Sequence, residues 1–401
     1  MVYLSSAYEK SVLCFERENM IENDWIYDQN KEIAEELYGI EIDNEGEDGA
    51  DEAVDYPYNS EEIRIDQKMF SLYQVCKWID HGKLILRPEF QRNFVWNKNK
   101  QSLLIESLML KIPIPAFYFD EDETGCRTVI DGMQRLTTIH RYLRGEFRLR
   151  GLQYLKECED KTFEELDWKY HSRIEDTQLA VNILDARCPE MVKFDVFRRI
   201  NTGGVALNAQ EVRNIMAKKQ TRRLLQRMVD SQGFQKATHR KVNDARMGAQ
   251  ELCLRFITFY QLYDVNTGDF REFYDMTHLM DQMMLRLNRM HIDEMEMLYE
   301  KFEMSMEKCY ALFGEWSFYK TDAKVAVNRA LFTSFSVLLA NAENLGIDWL
   351  YEQQNHAIHL LREMLNHNPG YYNAVTSSTS SRGHMITQFS GARLLLEELM
   401  A

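Results

Sequence analysis

Residues 128–139 read Thr128-Val129-Ile130-Asp131-Gly132-Met133-Gln134-Arg135-Leu136-Thr137-Thr138-Ile139. A short β-branched run ends in Asp-Gly. A helical pattern then starts at once, with Leu136, Ile139 and Leu143 at spacings of three and four. The reading is strand, tight turn, helix. Such a turn leaves backbone N–H groups at a helix N-terminus, where partial positive charge suits phosphate. Gly132 can take a φ that other residues avoid and so lets backbone approach a ligand. Asp131 is a candidate helix cap or metal holder. Arg135 opposes the helix dipole, which points to an anionic partner. An Asp N-cap beside a surface Arg salt bridge is the plain alternative.

Upstream, residues 63–86 (IRIDQKMFSLYQVCKWIDHGKLIL) give a strand, a helix with Leu72, Val75, Cys76 and Ile79 on one face, and a strand. A loop holds Pro88 and Phe90. A helix follows over Lys100 to Leu110, with Leu103, Leu104, Ser107 and Leu108 on its inner face, until Pro113 and Pro115 stop it. "AFYF", a turn over 120–126 and "RTVI" then lead into Asp131. Short strands mixed with helices make residues 63–200 an α+β pattern.

Downstream of Val205 strands nearly vanish. Helical periodicity covers 207–230, 247–264, 275–313, 322–343, 346–365 and 385–400. Met280, Met283, Met284, Leu287 and Met290 read as adaptable core. The run 376–381 (TSSTSS) reads as a loop and N-cap, and His367-Asn368-Pro369 as a loop rather than half of a His-Asn-His nuclease motif. The expected organisation is residues 1–62 as an extension with an acidic linker, 63–210 as a nucleotide-binding domain, and 211–401 as a helical domain.

The chain has 401 residues, 45% of them apolar and 12% aromatic, enough for two or three packed domains. Its net charge of −15 at face value opposes nucleic acid, but the charge is segregated. Residues 41–55 (EIDNEGEDGADEAVD) carry no Lys or Arg, whereas 213–246 hold ten of them against Asp230 and Asp244. This basic stretch suggests a DNA backbone surface through Lys218, Lys219, Arg222, Arg223, Arg240 and Lys241. A solvated face is the plain alternative. The 7 cysteines show no CxxC pair, which argues against a zinc ribbon or a disulfide framework and for a reducing compartment. No apolar run approaches the roughly 18–20 residues of a membrane span, and the start does not resemble a signal peptide. A soluble, cytoplasmic protein is expected.

Two further clusters accompany the Asp131 turn. Pro88-Glu89-Phe90-Gln91-Arg92 offers a loop guanidinium to phosphate or carboxylate. Phe197-Arg198-Arg199-Ile200-Asn201-Thr202-Gly203-Gly204 ends in a turn rich in N–H groups, which can form an anion nest or simply a connection.

The three stretches "RPEFQRNFVW", "VIDGMQRLTTI" and "VFRRINTGGVALNAQEVRN", in this order, resemble domain-of-unknown-function family 262. That domain opens GmrSD-type modification-dependent restriction enzymes and SspE-type anti-phage effectors, a distant branch of the ParB/sulfiredoxin-like superfamily. The resemblance covers about residues 63–230. It implies a ParB/sulfiredoxin-like N-terminal domain with few short strands, followed by a mostly helical C-terminal region. It implies a nucleotide pocket lined by Gln91, Arg92, Asp131, Gly132, Gln134 and Arg135, closed by Arg199, Asn201, Gly203 and Gly204. The ligand would be an NTP with Mg²⁺, the metal on Asp131. Asp131 and Arg135 would be the catalytic pair of an NTPase coupled to DNA sensing in bacterial anti-phage defence. The family pattern has Gln where this chain has Met133, and a Met cannot replace a Gln that touches nucleotide or metal. Two other readings stand beside this one: a non-catalytic nucleic-acid-binding module working through a partner nuclease or as a homo-oligomer, and a stand-alone ParB-like nuclease.

Overall fold

The computed structural model describes residue 35 and residues 38–41, 64–86, 96–200, 208–244 and 246–401. The chain divides into two compact units: Asp55–Ala217, and Lys218–Ala401 taken together with Met1–Val54.

The first unit is built on a mixed sheet. Its strands are β1 (Ile65–Ser71), β2 (Leu84–Ile85), β3 (Phe117–Glu121), β4 (Arg127–Asp131) and β5 (Gln178–Leu184), in the spatial order β1-β5-β3-β4-β2. The β1–β5 and β3–β4 pairs are antiparallel, and the β3–β5 and β2–β4 pairs are parallel. Five helices precede the last one in this unit: α1 (Leu72–Asp80), α2 (Lys98–Met109), α3 (Met133–Leu143), α4 (Trp168–Glu175) and α5 (Glu190–Ile200), followed by α6 (Ala209–Met216). Local chemistry sets several of their starts. Ser71 accepts from the Gln74 N–H at 3.2 Å and Asn97 from the Lys100 N–H at 2.9 Å. Asn208 and Glu211 form a reciprocal capping box. The core gathers Leu72 and Val75 of α1, Phe117 and Phe119 of β3, Leu136 and Ile139 of α3, and Val181 of β5.

The helix expected over Lys100–Leu110 starts two residues earlier and is rotated. Ser102 and Glu106 are buried along with Leu104, Ile105 and Leu108. The reason is polar. The Glu106 carboxylate accepts the N–H groups of Gln153 (2.9 Å), Tyr154 (2.7 Å) and Leu155 (2.8 Å), and Ser102 Oγ accepts that of Arg150 (2.8 Å). A Glu that would read as solvent-facing instead organises a strand-free loop.

The second unit is helical, as the sequence pattern implies. It contains α7 (Lys219–Val229), α8 (Gln232–Ala237), α9 (Gly248–Leu262), the short pair β6 (Tyr263–Asp264) and β7 (Asp269–Phe270), α10 (Met276–Arg289), α11 (Ile292–Phe313), α12 (Arg329–Asn341), α13 (Ile347–His367), α14 (Pro369–Thr376) and α15 (Arg382–Met400). Phe234, Phe256, Phe302 and Phe332 pack ring against ring at its centre. The described N-terminal residues belong here: the Ile40–Val327 bridge is backed by Glu41 N–H to Val327 O (3.0 Å) and Val327 N–H to Gly39 O (2.9 Å).

Two expected long helices are broken. The stretch 207–230 turns extended at Ala217 (ψ 136), and 275–313 turns extended at Met290 (ψ 145). Neither break has Gly or Pro; Asn288 supplies the first one's replacement bond by accepting the Lys218 N–H at 2.7 Å. Asn368 lies between α13 and α14 and caps the latter through the Tyr371 N–H at 3.0 Å, and Ser381 caps α15.

Glu106 yields a stability test. Desolvation raises its pKa, but the three backbone donors outweigh it, so the carboxyl titrates below its ordinary value. Its contribution is therefore present above the unfolded pKa and lost as pH falls through the folded one. Glu106→Ala should cost roughly 2–4 kcal/mol at pH 7, since it strands buried donors. The gap to wild type in urea unfolding should shrink as pH is lowered towards 3. A gap that stays constant would show that the carboxylate charge is not what holds this loop.

Candidate functional site

The Asp131 turn forms as its sequence suggests, with one addition. Partner numbering slips between Tyr118↔Asp131 and Phe119↔Val129, so Ile130 is an extra residue in β4. This bulge buries Val129 and Ile130 consecutively, each at 1% exposure. It also re-aims the strand end that carries Asp131, a recurrent device beside functional sites. Gly132 then takes φ +95 and becomes the N-cap of α3 without any side-chain cap. Two constraints require glycine here. The φ lies in the left-handed region, and a Cβ would sit 2.2 Å from Phe117 Cδ1.

Asp131 does not cap the helix. Its Oδ2 accepts from Arg135 Nη2 at 2.7 Å. Nor is Arg135 a surface residue: its side chain is 12% exposed. The guanidinium also donates to Pro115 O and, at 3.1 Å, to Ala116 O, and it lies 4.4 Å from the Phe117 ring centroid. Burial pulls its pKa below the ordinary value, and Asp131 opposes that shift. Arg135 thus ties three parts together: the end of β4, the entry to β3 and the first turn of α3. Among the described residues, no protein acceptor takes the N–H groups of Met133, Gln134 or Arg135. Gln134 is half-buried, with Oε1 unpartnered and its carbonyl accepting from Thr138 Oγ1 at 2.8 Å.

Met133 is 5% exposed and packs in the core. The departure from the Asp-Gly-Gln-Gln-Arg pattern therefore falls on an inward-facing position, where a thioether fills space without an amide to satisfy.

Gln91, Arg92, Asn201, Gly203 and Gly204 lie outside the described residues. Because β2 runs parallel to β4, the C-terminal end of β2 points towards the same end of the sheet as Asp131. The third cluster enters through α5. Lys193, 8% exposed, pairs with Asp120 near the end of β3. Arg199 lies exposed in the last turn of α5. No described hydrogen bond or ion pair joins it to Asp131 or Arg135.

A divalent ion bridging nucleotide phosphates needs only one or two protein carboxylates. Asp131 fits that part: Oδ2 is engaged by Arg135, and Oδ1 has no described protein donor. Among the described residues no group of three or more His, Cys, Asp or Glu assembles a metal cage.

Residues 72–217 match the family model of the GmrSD restriction endonuclease N-terminal domain. This GmrSD-like stretch ends where the sheet unit ends, at Ala217, and contains all ten nucleotide-site residues named from the sequence. No curated protein and no solved structure matched the chain. The basic residues from Lys218 onward lie in the helical unit, outside the GmrSD-like stretch. Their neighbour Arg213 is 3% exposed in the sheet unit. Among the described residues, no helix is long and apolar enough to cross a membrane. The described cysteines are free thiols, and burial pushes Cys76 up to about 12.

The turn makes a direct prediction. Gly132→Ala should destabilise the sheet unit by at least about 2 kcal/mol, from left-handed strain plus the Phe117 clash. Phe117→Leu on that background should recover part of the loss by giving the methyl room. A melting temperature for Gly132→Ala within a degree of wild type would contradict this geometry.

Proposed function

We propose that the sheet unit is the nucleotide-binding module of a restriction-type anti-phage defence protein, one that couples NTP and Mg²⁺ binding to DNA sensing. The observation that carries the reading is the uncapped N-terminus of α3. It follows a strand bulge, turns on a glycine with no room for a side chain, and presents backbone donors beside a carboxylate. Such a terminus takes phosphate oxygens. The match of residues 72–217 to a restriction endonuclease domain supports the setting.

In this reading Asp131 holds the divalent ion against the phosphates, and the ion supplies charge neutralisation when bound. Gly132 lets the phosphates approach the first-turn N–H groups of α3. Gln134 is the adjacent side chain with an unsatisfied acceptor. Arg135 acts on Asp131 by fixing its position. Arg92 and Arg199 are the cations left to meet phosphate charge, the electrostatic route of phosphoryl transfer.

A second reading, binding without turnover, is favoured by the state of Arg135. Its contacts with Pro115, Ala116 and Asp131 engage the one described guanidinium of the motif. In that case the domain signals to a partner nuclease and does not hydrolyse.

Both readings require nucleotide binding, and a panel of NTPs with Mg²⁺ tests it. At about a hundredfold excess over Kd, a ligand adds about 2.7 kcal/mol, a shift of a few degrees in melting temperature. Asp131→Asn keeps the shape and removes the charge, and should abolish the shift. Phosphate release by wild type separates turnover from binding alone. No shift with any nucleotide, or an undiminished shift in Asp131→Asn, would end the proposal.

A further inference from the structure

The basic stretch that is continuous in sequence is divided in space. Chain from Lys218 to His239 runs alongside α11. Lys218 meets Asn288 just before that helix. Arg227 pairs with Glu296, Gly233 donates to Glu303, and Lys236 lies over Tyr310. With 22 residues, α11 is about 33 Å long. Lys218, Lys219 and Arg223 therefore sit near its start, and Lys236, Arg240 and Lys241 near its end. Between them α11 presents Glu296, Glu300, Glu303 and Glu307, of which Glu296 is bound by Arg227.

The two ends differ in construction. Around the end of α11, cations rest on aromatic rings. The ammonium of Lys236 is 4.2 Å from the Tyr310 centroid, and that of Lys241 is 5.6 Å from the Tyr319 centroid. Lys324 and Arg362 lie 4.1 and 3.8 Å from the Trp316 centroid. These pairs are contiguous. Lys241 Nζ donates to Lys324 O at 2.8 Å, and His239 stacks on Tyr319 at 5.1 Å. The side chain of His239 is 10% exposed and its Nε2 has no partner; burial, and to a lesser extent Lys241 and Lys324, hold its pKa below the ordinary value against the opposing pull of Glu315. Rings that hold ammonium groups outward reduce the rotamer freedom a ligand must freeze.

The backbone is strained at the same place. His239, Arg240, Phe318 and Lys324 all take positive φ, between 49 and 65. Left-handed non-glycine residues persist where surroundings over-determine them, and they cluster at functional surfaces. Three carboxylates stand among these groups: Asp322 on Arg362 (2.7 Å), Glu41 on Lys320 (2.9 Å) and Glu315 near His239 (3.6 Å). Lys236, Arg240, Lys241 and Lys324 have no carboxylate partner among the described residues.

We propose that Lys236, Lys241, Lys324 and Arg362, set on Tyr310, Tyr319 and Trp316, together with the neighbouring Arg240, form a binding surface for the phosphodiester backbone of nucleic acid. The choice of nucleic acid rests on the DNA-sensing reading above; the surface itself does not depend on the nucleotide site. Four or five cations held in one array suit repeated phosphates. The carboxylates along α11 confine the contact to this end. Binding is independent of base sequence, because the contacts are made to phosphates and not to base edges.

The test is fluorescence anisotropy of a labelled DNA duplex with the full chain, titrated with salt and without nucleotide. The quadruple variant Lys236→Gln/Lys241→Gln/Lys324→Gln/Arg362→Gln should bind at least about tenfold more weakly at low salt. Its log–log salt slope should fall by about 3.6 if each of the four cations meets one phosphate, at roughly 0.9 per contact. The matching variant Lys218→Gln/Lys219→Gln/Arg223→Gln should bind as wild type. Replacing Lys236, Lys241 and Lys324 by Arg should preserve binding and exclude a folding artefact. Wild-type affinity in the quadruple variant would overturn the proposal. So would equal wild-type affinity for polyglutamate of similar charge, or absence of DNA binding by wild type. Failure of the nucleotide reading is separate: wild type would then bind DNA through this surface yet show no thermal shift with any NTP.

Discussion

The candidate site depends on the approach of Gly132 to the face of Phe117. Strand β3 must lie close enough to β4 for Pro115 and Ala116 to reach Arg135, and that closeness leaves no volume for a side chain at position 132. The bulge at Ile130 provides the extra residue that brings Asp131 opposite Tyr118. Strand pairing, bulge, left-handed turn and helix start are therefore one coupled unit. Relaxing any of them moves the carboxylate and the helix N-terminus together. Preorganisation of this kind is what a phosphate site needs, because donors that must first be ordered lose affinity to that ordering.

The charge distribution shows a second constraint. A net charge of −15 says little about a surface when opposite charges are sorted by position. Along the chain, ten basic residues look like one face. In the folded helical unit, α11 acts as a spacer, and Arg227 is spent on Glu296 with its guanidinium 3.7 Å from the Tyr299 centroid. What remains is two groups, and the one at the end of α11 also has ring support. A basic run in sequence therefore does not measure a polyanion site, because folding divides the run and adds cations from elsewhere, here Lys324 and Arg362. The fold decides how much of it acts together.

Much of the architecture was legible because it is local. The β-branched run into Asp-Gly, the Leu136–Ile139 spacing and the loss of strands after Val205 are short-range patterns, and each maps onto an observed element. The features that escaped are non-local. The bulge at Ile130 hides inside a run that already looks like a strand. The break at Ala217 has no helix breaker and depends on Asn288, far along the chain. Glu106 gave one weak sign: with Ser102 it makes a polar pair four apart, on one side of a helix whose apolar residues are Leu103, Leu104, Ile105, Leu108 and Met109. Helix α14 escaped because Asn368-Pro369 reads as a loop when it is both an ending and a cap. Of the site residues, those on the central turn are placed, whereas Gln91, Arg92, Asn201, Gly203 and Gly204 fall outside the described residues.

The position of Arg135 bears on which chemistry the turn can perform. A guanidinium has five donors, and here two backbone carbonyls and one carboxylate take at least three of them. Turning it towards a phosphate would free two carbonyls at the entry to β3 and release Asp131 from its anchor. Pro115 is exposed and Ala116 half-buried, so water can replace the guanidinium at their carbonyls, and the larger loss is the anchor on Asp131. Where it stands, Arg135 fixes the carboxylate and ties the start of the helix to the entry of β3. In the proposed nucleotide site this leaves Arg135 as the residue that positions Asp131, and the cations that meet phosphate are sought on other segments of the chain.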